Sequence, residues 1–153
     1  MKPFAILSSL LLIIVAGAAG GAPDRKYVVM NRTGVAVNAP YSEAVLTGNT
    51  LYIAGHIGID PATGKPGATP EEEAKLVMEV FKRDIEAGGM TMDDLVSVTV
   101  FCSDLSHYNA FNNVYRTYFH QNYPARAFIG SGKLLFDARF EVQGIAVKRA
   151  VGK

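Results

Sequence analysis

Two residues of opposite charge frame the chemistry this sequence can support. Arg126 follows Pro124-Ala125 and opens a run that reads as a strand, and Glu141 comes fifteen residues later. Proline sets the approach of the chain, so the arginine at the strand mouth can project its planar fork into a cleft. Such a fork suits a carboxylate, gripped by two parallel charged hydrogen bonds. Glu141 sits in the otherwise apolar run Phe140-Glu141-Val142-Gln143-Gly144-Ile145-Ala146-Val147. A carboxylate there is costly unless it is paired or put to use. Residue types alone leave two arrangements open. One is a structural Arg126–Glu141 ion pair, or two solvated side chains; the other is an anion grip with an acid–base group.

Other reactive signatures are missing. There is no glycine-rich phosphate loop, no H-E-x-x-H, no G-x-S-x-G and no pair of cysteines. His56, His107 and His120 show no ligand spacing, so neither a metal nor a cofactor is expected. Cys102, the single cysteine, lies in the apolar run Val98-Thr99-Val100-Phe101-Cys102 and reads as a buried, inert thiol. Formal net charge is +1, without the basic surplus that a nucleic-acid footprint needs. Arg126, Lys133, Arg139, Lys148 and Arg149 are the one local concentration of positive charge.

The elements that must carry Arg126 and Glu141 follow from periodicity and breakers. Tyr27 to Met30, Tyr41 to Leu46 and Leu51 to His56 read as strands, the last two joined by the turn Thr47-Gly48-Asn49-Thr50. Pro61 to Gly67 reads as a loop. Thr69 as N-cap, Pro70 at the first helical position and Glu72 completing a capping box announce a helix. Val77, Val80, Phe81 and Ile85 give it an inward face, and Gly88-Gly89 ends it. Val96 to Cys102 alternates like a strand. A second helix is expected from Ser103-Asp104 to about Tyr118, with Leu105, Tyr108, Phe111, Tyr115 and Tyr118/Phe119 as its apolar stripe. Ala127 to Ile129 and Phe140 to Val147 are the last strands.

This order predicts an α+β sandwich, one sheet with two helices on one face. Nothing in the chain covers the other face. Tyr52, Val98 and Val100 cannot all turn toward the helices, and an uncovered apolar face predicts self-association.

The first 22 residues stand apart. Lys2 precedes an apolar run from Phe4 to Val15, and small residues follow from Ala16 to Ala22. That is the layout of a signal peptide, with cleavage expected near Ala18 or Ala22 and a periplasmic or secreted product. The run is short of the roughly 20 apolar residues needed to span a bilayer, so no stable membrane insertion is expected once it is removed. Residues 23–153 then form a single domain.

Six blocks, in order, resemble the RidA/YjgF family. They are Pro40-Tyr41-Ser42-Glu43-Ala44-Val45, Gly48-Asn49 through Tyr52-Ile53-Ala54-Gly55-His56-Ile57, Leu95 to Asp104, Phe111-Asn112-x-x-Tyr115-x-x-Tyr118-Phe119, Pro124-Ala125-Arg126, and Glu141 to Val147. The resemblance implies a chorismate-mutase-like fold with one mixed sheet, assembled as a homotrimer with clefts between subunits. It implies hydrolytic deamination of enamines and imines of the 2-aminoacrylate/2-iminopropionate type, without a cofactor. It also implies roles: Arg126 grips the substrate carboxylate, Glu141 positions or activates water, and Tyr41, Gly55 and Asn112 border the cleft.

Phe128, two residues beyond Arg126, stands where a small or polar residue is frequent in that family, and Ala127 where serine is usual. His56 replaces the usual glutamine, Gln143 a second acid, and Gly130-Ser131-Gly132-Lys133 departs from the usual turn. A hydroxyl lost beside Arg126 is expected to weaken carboxylate binding by about 1 kcal/mol. Alternatives to deamination are a non-catalytic module of the same fold that binds small carboxylates or partner proteins, and an endoribonuclease.

Overall fold

The computed structural model describes residues 24–28, 40–120 and 122–149. The expected export segment lies outside the described residues, as do Val29 and Met30 of the first expected strand.

The described elements are β1 (Arg25–Val28), β2 (Ala44–Thr47), β3 (Thr50–Ile57), β4 (Ile59–Asp60), β5 (Lys65–Pro66), α1 (Pro70–Ala87), β6 (Leu95–Cys102), α2 (Tyr108–Tyr115), β7 (Ala125–Gly130) and β8 (Phe140–Val147). Six strands form one sheet in the order β1-β2-β3-β8-β6-β7. Only β6 and β7 run parallel, joined through α2, so the sheet is mixed as expected.

Local chemistry sets the ends of α1. The Thr69 hydroxyl accepts from the Glu72 amide at 3.1 Å, and the Glu72 carboxylate accepts from the Thr69 amide at 3.3 Å. Gly88 donates back to Asp84, and Gly89 then turns out of the helix at φ 74°. The β2–β3 turn is the expected one, with Gly48 at φ 59°.

Two expectations change. The 61–67 stretch is not a plain loop, because β4 and β5 pair around it. Asp60 holds that turn by accepting from the Ala62 amide at 2.9 Å. The second helix is not continuous either. 3-10 turns at Leu105–His107 and Arg116–Tyr118 flank α2, so the helical stripe does not extend over its full length. Phe111 and Tyr115 are buried, while Leu105 and Tyr108 face outward.

The core lies between the helices and one sheet face. Val77, Phe81 and Ile85 of α1 meet Leu51, Ile53, Val98, Val100, Phe140 and Val142, all buried. Cys102 is buried there too, its thiol 3.0 Å from the Asp104 carbonyl. Burial raises its pKa, which suits an inert thiol. Of the three residues that could not all face inward, Val98 and Val100 do and Tyr52 does not. On the open face a row crosses all six strands by register: Tyr27, Val45, Tyr52, Ile145, Ser97 and Ala125. Tyr27 and Tyr52 are more than half and half exposed respectively, at 57% and 50%.

Candidate active site in two halves

The first half forms where β7 passes α2. Strand alternation turns Arg126 and Phe128 toward α2, while Ala125, Ala127 and Ile129 are exposed on the other side. Buried Asn112 accepts a 2.8 Å hydrogen bond from Arg126 Nη2. The guanidinium carbon stands 4.6 Å from the centre of the Tyr115 ring and 5.5 Å from that of Phe128. Stacking and the Asn112 bond therefore hold the fork in place. Its other N–H groups donate to no acceptor among the described residues, so they are available to an anion. A cleft of about 270 Å³ opens here, lined by Tyr108, Asn112, Tyr115, Tyr123, Pro124 and Arg126.

Tyr115 is a site residue that the sequence reading placed only in the core. Its ring is buried against Arg126, and its hydroxyl has no hydrogen-bond partner among the described residues. Burial pushes the phenol pKa up to about 12, against the pull of the Arg126 charge. The group stays neutral at any physiological pH.

The second half lies on β8. Phe140 and Val142 point into the core, so Glu141 between them points to the open face. It is paired in register with Ile57 and Phe101. β3 carries an irregularity beside it: Ile53 pairs with Gly144 but His56 pairs with Val142, leaving Ala54 and Gly55 opposite Gln143. The Glu141 carboxylate occupies the space that a side chain at Gly55 would fill. The three atoms nearest a Cβ at Gly55 would all belong to that side chain, so the carboxylate keeps this place only while residue 55 is glycine. Glu73, fully buried on α1, anchors the start of the same strand. Its carboxylate accepts from the amides of Arg139 at 2.5 Å and Phe140 at 3.0 Å, and from Arg139 Nη1 at 2.7 Å.

Arg126 and Glu141 are thus on opposite faces of the sheet. The ion pair that their spacing left open does not form, because the register of β6 against β7 and β8 gives them opposite parity. Asn112 and Phe128 join Arg126, whereas Gly55 joins Glu141. Tyr41 is exposed ahead of β2 and makes no hydrogen bond or ring contact with either group among the described residues. Ala127 also faces away from Arg126, so the missing hydroxyl is not beside the fork, contrary to expectation.

A buried cluster was not foreseen. His56 Nε2 lies 2.6 Å from Asp84 Oδ2, and Nδ1 lies 3.3 Å from Glu43 Oε2. The three ligand atoms stand within 4.8 Å of one another, a span that could hold a cation. Two ligands of one tetrahedral zinc stand about 3.3 Å apart, however. The 2.6 Å approach is that of a direct ring–carboxylate contact, and the ring turns a different nitrogen to each carboxylate. The signal available in the sequence was Glu73 and Asp84 falling on the inward stripe of α1 with Val77, Phe81 and Ile85. Three of the five late cations are paired: Lys133 with Asp137, Arg139 with Glu73 and Arg149 with Asp94.

Comparison with known proteins places this geometry. The family model described as endoribonuclease L-PSP matches residues 32–148. The 2-iminobutanoate/2-iminopropanoate deaminase of Rattus norvegicus is 36% identical over 126 residues, spanning 81% of this chain and 90% of its own. RidA from the Antarctic bacterium Psychrobacter superposes with a TM-score of 0.73 at 32% identity, covering 80% of this chain and 99% of that one. TdcF of E. coli, solved with bound serine, superposes at 0.73 with 28% identity, covering 81% of this chain and all (100%) of its own. The ordered motifs, the matched residues and these relatives agree: the chain belongs to the RidA/YjgF family, whose family model carries the endoribonuclease L-PSP description.

Proposed function

We propose that this protein hydrolyses small carboxylated enamines and imines, of the 2-aminoacrylate and 2-iminopropanoate type, to a 2-keto acid and ammonia. The observation that carries this reading is Arg126, stacked on Tyr115, tied to Asn112 and keeping N–H donors for a carboxylate. A relative named 2-iminobutanoate/2-iminopropanoate deaminase supports it, as does a bound amino acid in TdcF.

The chemistry asks little of the protein. Arg126 orients the substrate through its carboxylate, leaving the protonated imine carbon open to water. Glu141 accepts a proton as water adds to that carbon; the carbinolamine then collapses to the keto group and releases ammonia. Orientation and a positioned base suffice, the base adding roughly 10²–10⁴-fold. No cofactor takes part.

Arg126 and Glu141 of one chain lie on opposite faces, so a second copy must bring its Glu141 to the first copy's Arg126. We assign the assembly as a homotrimer, with the Tyr27-to-Ala125 row of the open face buried between copies. Apolar area of that kind supports self-association. Export follows from residues 1–22, with cleavage near Ala18 or Ala22.

The aromatic crowding at the fork favours one second reading, a non-catalytic module binding small carboxylates. Phe128 packs 4.9 Å from Tyr108 and 5.6 Å from Phe111, leaving less room than a small residue would. An endoribonuclease is disfavoured, since three of the five late cations, Lys133, Arg139 and Arg149, are paired with carboxylates. A coupled assay generating 2-iminopropanoate and 2-iminobutanoate in situ separates the readings. Faster loss of imine with wild-type protein, abolished in Arg126→Ala, is the expected result. Ligand-dependent thermal shifts without turnover would instead favour the binding module.

A further inference from the structure

Glu141 acts on water only if its carboxylate is held at one point on an otherwise open sheet face. What holds it is the β3 irregularity, since Gly55 supplies the space the carboxylate fills and Ile57 is its register partner. The residue between these two is His56, whose side chain points the other way, into the layer between sheet and helix. It is 3% exposed, and each of its ring nitrogens faces a buried carboxylate on a different element. Asp84 belongs to α1, and Glu43 immediately precedes β2. Glu43 is itself tied into the sheet: its amide donates to Val28 at 3.0 Å, and its carbonyl accepts from the Ala54 amide at 2.9 Å. The Ala54-Gly55 irregularity is therefore pinned from three sides.

We infer that His56 is a positioning residue for the reaction: bridged between Asp84 and Glu43, it sets the Ala54-Gly55 backbone and, through it, the place of the Glu141 carboxylate. A β-strand irregularity without such an anchor can relax toward regular pairing, and that would swing the residues on either side to new faces. The inference rests on the deaminase reading, and it separates the two halves of the site. Loss of His56 should disturb water delivery by Glu141 and leave the Arg126 grip on the other face intact.

The test is steady-state kinetics on purified wild-type protein, His56→Ala and Asp84→Asn with imine generated in situ, checked by circular dichroism and light scattering. The expected result is a kcat lowered on the order of 10–100-fold by a misplaced base, with KM within about twofold of wild type. Asp84→Asn keeps the ring and the side-chain volume, and it carries the test where His56→Ala fails to fold. A folded variant with wild-type kcat, or one whose KM rises while kcat stays, would overturn the inference alone. Absence of turnover in the wild-type protein would remove the deaminase reading and this inference with it.

Discussion

Arg126 and Glu141 occupy opposite faces of one six-stranded sheet, the arginine held by Asn112 beside α2 and the glutamate seated over Gly55 on the open side. A ligand gripped by one cannot meet the other from the same chain. The open face also leaves apolar side chains such as Tyr27 and Tyr52 in water. The proposed docking of a second copy on that face would answer both problems.

Arg126→Lys is predicted to cost nearly as much as Arg126→Ala. Lysine keeps the charge but loses the fork and most of the stacking on Tyr115 and Phe128. Losing one charged hydrogen bond to the carboxylate, about 2.7 kcal/mol, lowers kcat/KM about 100-fold. Kinetics on both variants check this; a lysine variant with near wild-type kcat/KM would show that the fork is not used.

Gly55→Ala should strike the other half. The added methyl lands where the Glu141 carboxylate lies, and Gly55 has no positive φ to add strain. The expected signature is a kcat lowered about 10-fold or more with KM little changed. A variant with unaltered kcat would place Glu141 elsewhere.

Tyr115 offers a pair of contrasting substitutions. Its buried hydroxyl lacks a partner among the described residues, so Tyr115→Phe removes an unsatisfied group and should raise stability by about 1 kcal/mol. The ring under Arg126 remains, and KM should hold. Tyr115→Leu removes the ring, and KM should rise several-fold as the fork loses its stacking partner. Denaturant unfolding and kinetics read the two effects separately.

Asp94 predicts an acid-dependent contribution to stability. Burial pushes its carboxyl pKa up, but the Thr91 amide at 2.7 Å and Arg149 at 2.8 Å outweigh that and hold it below the ordinary carboxylate value. A lowered folded-state pKa means the stabilisation is present above the unfolded value of about 3.9 and is lost as pH falls through the folded one. The Tm difference between wild type and Asp94→Asn should therefore shrink from pH 7 to pH 3. A difference independent of pH would show that Thr91 and Arg149 together do not hold the Asp94 carboxyl below its ordinary value.

The fold was legible wherever its cause is local. The Thr69-Pro70-Glu72 start and the Gly88-Gly89 stop delimit α1 by their own hydrogen bonds, and the largely apolar run from Phe140 to Val147 marked β8. The relation between Arg126 and Glu141 was not legible in spacing. It depends on Val98 pairing with both Arg126 and Gly144, a long-range register that puts Arg126 level with the inward face of β8. His56 and Asp84 meet only when α1 packs on β3, so no run of sequence contains their pairing. The family motifs implied that Arg126, Glu141, Asn112 and Gly55 border a cleft; the structure joins Asn112 to Arg126 and Gly55 to Glu141, and these two groups face apart within one chain.

The central claim is that each site takes Arg126 from one copy and Glu141 from another. Mixing Arg126→Ala with Glu141→Gln chains, by co-expression or by unfolding and refolding together, tests it most directly. Each variant alone should be nearly inactive. In mixed assemblies some sites receive an intact Arg126 and an intact Glu141, about a quarter of them for random association. The predicted result is imine turnover restored to that fraction of the wild-type rate. Mixed assemblies no more active than either parent would contradict the account.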